Sequence, residues 1–165
     1  MEANGFQRLI EILGEEVDLL RRLHSTLENE QQGLVNGDVE SIQKYVESQI
    51  SILSDVSRLE DERMATLRPL GPPGEESQAS KLEMLIEGAP EQEAQSLQEI
   101  RASLREVLEG IGSVNKHNGM LISQSLSYID RTLKMIAGED SSSTVYTAEG
   151  RVTSRIGQIA VDRKI

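Results

Sequence analysis

A seven-residue apolar recurrence near the start of the chain constrains the fold most. Phe6, Leu13, Leu20, Leu27 and Leu34 repeat at this spacing, with Ile10, Val17, His24 and Gln31 as a companion series. Heptad spacing sustained over this many turns marks a long helix packed lengthwise against another. Ile12 and Leu19 add a flanking row, so the buried face is wider than a two-stranded seam and calls for more than one neighbour. The pattern predicts a first helix over about residues 4–36.

The stretch Asn36-Gly37-Asp38 ends that helix. Gly37 can take a left-handed conformation past the last turn, and Asp38 can cap the helix that follows. So short a connection makes the second helix, over about residues 39–68, antiparallel to the first. Its stripe reads Ile42, Val46, Gln49, Leu53, Val56, Arg63 and Leu67, widened by Tyr45, Ile52 and Leu59. Prolines 69, 72 and 73 with Gly71 and Gly74 then break the helix. A short amphipathic helix over about 80–88 follows, with Ser80 and Glu83 spaced as a capping box. A last helix over about 90–137 opens on Pro90, Glu91 and Glu93. Gly110 and Gly112 interrupt its apolar row and either bend it or let a neighbour approach closely. The expected fold is all-α: an elongated antiparallel helical bundle or coiled-coil hairpin with a long third main helix. Residues 1–138 form the bundle and residues 139–165 a flexible tail.

Composition narrows the function. The chain has no Cys, no Trp, two His and a net charge of -11. Thiolate metal sites and disulfides are excluded, and a nucleic-acid binder would carry a basic face. Aromatic residues make up 2% of the chain, too few for a stacking platform or a usual catalytic pocket. No phosphate loop, zinc-protease or nucleophile-elbow motif occurs. A di-iron bundle needs Glu-x-x-His, but Arg21 and Val114 stand three residues before the two histidines. His24 reads as a polar core or boundary residue and His117 as facing water. Arg63 and Gln49 read as register-setting polar residues, Arg63 pairing with Glu60 or Glu28. No enzymatic activity, cofactor, nucleic acid or membrane insertion is expected.

Two stretches remain as candidate interaction sites. Asn115 and Asn118 lie on or beside the apolar stripe of the last helix, where they serve either internal register or contact with a partner. Leu121, Ile122 and Ile129 continue that stripe. In the tail, residues 151–165 contain three Arg, one Lys and one Asp. Val152, Ile156 and Ile159 lie at spacings of four and three, which suits one face of a short helix that forms on binding.

The stretch from Leu19 to Arg63 resembles the FlgN family of flagellar chaperones. The matching residues are Glu30, Leu34, Gly37, Asp38, Ile52, Leu53, Leu59 and Arg63. Gln49 stands where the family often has lysine. A late Asn-x-x-Asn with an apolar pair is matched by Asn115, Asn118, Leu121 and Ile122, and a tail Tyr-x-x-x-Gly by Tyr146 and Gly150. The resemblance implies a cytoplasmic export chaperone. Such a protein binds the C-terminal helical regions of hook–filament junction proteins and docks on the export gate or export ATPase complex. It also implies that the late helix and tail bind partners and that Tyr146 contacts the export gate. Self-association is left open. The competing reading is a structural or tethering coiled-coil protein with no secretion client.

Overall fold

The computed structural model describes residues 2–67, 78–137, 145–146 and 152–153. Four helices account for almost all of them: α1 (Glu2–Asn36), α2 (Val39–Leu67), α3 (Gln78–Gly88) and α4 (Glu91–Ala137). The chain divides into two units, Met1–Met120 and Leu121–Ile165.

In the first unit, α1 and α2 form an antiparallel hairpin, and the turn between them follows from its residues. The Gly37 N–H donates to the Leu34 carbonyl at 3.4 Å and the Asp38 N–H to the Gly33 carbonyl at 2.9 Å. These two bonds close the helix end, and they require the positive φ of 67° that Gly37 adopts. Asp38 then caps α2: its carboxylate accepts from the Ser41 N–H at 3.1 Å and from the Ser41 hydroxyl at 2.7 Å. Both bonds hold the Asp38 carboxyl below its usual pKa. A depressed carboxylate stabilises the fold above its unfolded pKa, and that contribution is lost as pH falls through the folded value. Gly37→Ala is expected to cost about 1 kcal/mol in urea unfolding, because alanine resists the left-handed conformation.

The core forms two clusters along α1. Phe6, Leu9 and Leu13 gather with Leu85 and Ile86 of α3 and Leu97 of α4. Further along, Leu23 and Leu27 meet Ile52 of α2 and Val107 and Ile111 of α4. Early α1 meets early α4 and later α1 meets later α4, so α4 runs parallel to α1, with α3 covering the end where it begins.

The packing corrects the phase of two stripes. On α1 the buried residues beside Phe6, Leu13 and Leu27 are Leu9, Ile12, Glu16, Val17, Leu23 and Glu30; of the companion series Val17 is thus buried as expected, while Ile10, His24 and Gln31 are only half-buried. On α2 the buried residues are Ile52 and Leu59, whereas Val46 and Leu53 are exposed. Glutamates hold core positions because α2 and α4 bring them partners. The α2 stripe stays partly open because no helix among the described residues covers it.

Several finer expectations also change. Arg63 pairs with Glu16 at 3.0 Å and with Glu60 at 3.6 Å, not with Glu28. Helix α3 begins at Gln78, so Ser80 lies inside the helix, and Glu83 pairs with Arg101 at 3.2 Å. At Pro90 the carbonyl accepts from the Ala94 N–H at 2.9 Å, closing the first turn of α4.

The two glycines of α4 differ. A Cβ at Gly110 would lie 2.9 Å from Nε2 of His24, whereas nothing lies within 4 Å of one at Gly112. Gly110 thus gives the half-buried imidazole room against α4. Gly112→Ala is expected to stabilise the fold by about 1 kcal/mol through helix propensity. Gly110→Ala is expected to show no such gain unless His24→Ala accompanies it, and thermal melts of the three variants check this.

In the second unit α4 continues to Ala137, and a two-residue antiparallel ladder pairs Val145 with Thr153 and Tyr146 with Val152. Val152 is therefore in a strand, while Ile156 and Ile159 lie outside the described residues. The β-branched and aromatic character of these residues, on either side of a segment containing Gly150, favours the pairing.

Candidate binding face

The two asparagines of α4 have different surroundings. Asn115 is exposed. Asn118 is 3% exposed, and its amide donates to the Leu27 carbonyl at 3.0 Å and to Oε2 of Glu30 at 3.1 Å. The same carboxylate oxygen accepts from Nε2 of Gln49 at 3.0 Å. One buried acid on α1 thus ties α2 and α4 together. The carbonyl oxygen of Asn118 is buried without a hydrogen-bond partner among the described residues. His117 faces water, its Nδ1 2.8 Å from the Ser113 carbonyl oxygen.

Beyond Asn118 the helix changes character. Leu121 is half-buried, but Ile122, Leu126, Ile129, Leu133 and Ile136 are all exposed, Leu126 by 62% and Ile136 by 78%. Their spacings of four, three, four and three place them in one row of a heptad. Leu126 and Leu133 thus join Ile122 and Ile129, and Leu126 escaped the sequence reading. The signal for it is a one-residue phase shift, since Asn118, Ile122 and Leu126 follow at steps of four. Positions beside the row are Ser123, Ser125, Asp130 and Thr132. Such small, mostly uncharged flanks admit a foreign helix without a charge clash.

Among the described residues no group of three or more His, Cys, Asp or Glu could hold a metal ion. No helix there is long and apolar enough to cross a membrane. Tyr146 and Val152 are opposed in the ladder. Gly150, Ile156 and Ile159 lie outside the described residues.

Comparison with known proteins decides the family. The sequence profile of the FlgN protein family matches residues 1–154. The chain belongs to the FlgN family of flagellar export chaperones. It is also 27% identical over 132 residues to the flagella synthesis protein FlgN of Yersinia enterocolitica, covering 79% of this chain and 80% of that one. No solved structure matches. FlgN chaperones are not enzymes, and they act on flagellar export substrates.

Proposed function

We propose that this FlgN protein is a cytoplasmic chaperone for the hook–filament junction proteins, holding their C-terminal helical regions and passing them to the export gate or export ATPase complex. The observation that supports this reading is the exposed row from Ile122 to Ile136. An amphipathic client helix exposes an apolar stripe when alone, and pairing it with this row buries both. Leu121, Ile122 and Ile129 supply client contacts. Asn115 borders the row on the exposed side, and Asn118 fixes the register of the helix that carries it. Tyr146, Gly150, Val152, Ile156 and Ile159 belong to the part that contacts the client or the gate, with Tyr146 directed to the gate.

The test is calorimetry of the full chain against the junction-protein C-terminal regions and against the soluble gate domain. Saturable binding of both supports the reading. A chain that binds neither but assembles with itself is a tethering coiled coil instead. Removing residues 139–165 is expected to leave thermal stability within about 1 kcal/mol. The same truncation is expected to weaken client or gate binding at least tenfold, about 1.4 kcal/mol. Tyr146→Ala is expected to impair gate docking more than client capture.

A further inference from the structure

The packed face of α4 repeats almost unchanged at a step of three residues. Its places in the second core cluster belong to Val107, Ile111 and Val114, and Asn118 follows them. Three residues before each stand Leu104, Leu108, Ile111 and Asn115. Apolar replaces apolar, and asparagine replaces asparagine. Three residues rise about 4.5 Å and fall roughly 60° short of a full turn, so a short slide with a small rotation would seat one set where the other lies. Leu108, now 53% exposed, would take the buried place of Ile111. Asn115, now exposed, would take the bonds that Asn118 makes to the Leu27 carbonyl and Glu30. These four places therefore do not choose between the two seatings.

Two other places do. In the slid seating Ala94 would stand where Leu97 is and Val107 where Gly110 is. Leu97 is wholly buried in the first core cluster, so alanine in its place leaves a cavity. At Gly110 a single added carbon would lie 2.9 Å from Nε2 of His24 and 3.3 Å from both Cδ2 and Cε1. Val107 would bring a branched side chain to a spot where one carbon already crowds the ring. Nothing lies within 4 Å of a Cβ at Gly112 or Gly119, so among these α4 glycines the close approach belongs to Gly110 alone.

We propose that His24 is the register lock of α4, a positioning residue that bars the seating in which Asn115 takes the place of Asn118. A slide of the helix would carry the row from Ile122 to Ile136 with it. The effect on client capture rests on the client reading of that row, and the lock itself does not.

The chain has no cysteine, so spin labels at Ser25→Cys and Gln98→Cys, both at exposed positions, report on α1 and α4 alone. Ala94→Leu with Asn118→Leu favours the slid seating, because the new leucines then fall in the places of Leu97 and Leu121. With His24 present, electron–electron distance measurements on this pair of substitutions are expected to give the separation of the unmodified chain. Adding His24→Ala is expected to shorten it by about 4 Å, since Gln98 lies early on α4 and the helix slides toward its C-terminal end. A shortened distance in both variants, or in neither, would overturn the proposal. A second measurement needs no slide. Gly110→Val brings the branched side chain to the imidazole directly and is expected to lower the thermal melt, and His24→Ala is expected to restore it. No recovery would overturn the lock as well. The slid variant is expected to bind client at least tenfold more weakly than its counterpart with His24. A slid chain with undiminished affinity would count against the client reading of the row and leave the lock standing.

Discussion

Replacing Arg63 with methionine is expected to destabilise the hairpin by about 3 kcal/mol in urea unfolding, the largest single effect outside the apolar core. The side chain of Glu16 is 8% exposed and that of Arg63 17%, with Arg63 Nε 3.0 Å from the Glu16 carboxylate. Burial already pushes the Glu16 carboxyl above its ordinary pKa, and Arg63 works against that rise. Removing the arginine leaves a buried carboxylate with its desolvation uncompensated, so its pKa rises further. A group whose folded pKa is raised makes stability fall as pH increases from its unfolded value, near 4.5, through the folded one. The deficit of Arg63→Met is therefore expected to be largest at neutral pH and to shrink toward pH 4, where the carboxyl takes up a proton. Glu16→Gln keeps an acceptor for Arg63 and removes the buried charge, so it is expected to cost under about 1 kcal/mol. Equal losses for the two variants, independent of pH, would show that packing volume and not charge governs the site.

Changing Ile122, Leu126, Ile129 and Leu133 together to serine is expected to reduce client affinity at least a hundredfold, about 2.7 kcal/mol, with the thermal melt barely moved. All four side chains are exposed, so the free chain loses little buried apolar surface when they are removed. In a complex each would be covered, and a buried aliphatic side chain contributes roughly 1.5–3 kcal/mol before ordering costs are subtracted. The contrast between stability and affinity is the diagnostic. A core row would lose both, and a merely solvated row would lose neither. Calorimetry of the fourfold variant with the junction-protein C-terminal regions reads the affinity, and circular dichroism reads the melt. Unaltered client binding would move the client site elsewhere.

The sequence by itself determined the helical hairpin and its turn. Heptad recurrence records which residues one helix face holds, and Gly37 with Asp38 is a local device whose geometry needs no distant partner. The all-α fold and the antiparallel pairing of α1 with α2 follow from such near-neighbour rules, whereas the exposure of the last apolar row does not. Only the tertiary structure decided which polar residues enter the core. Glu16 and Glu30 lie two heptads apart on α1, and Arg63 and Gln49 two heptads apart on α2. The antiparallel register brings each acid to its partner, and α4 adds Asn118 to the second layer. Read alone, a glutamate belongs to water, because burial of an unpaired carboxylate costs several kcal/mol. It can stand in a core only when another helix delivers a cation or an amide. That pairing depends on how two distant segments align, so Arg63 meets Glu16 and not Glu28.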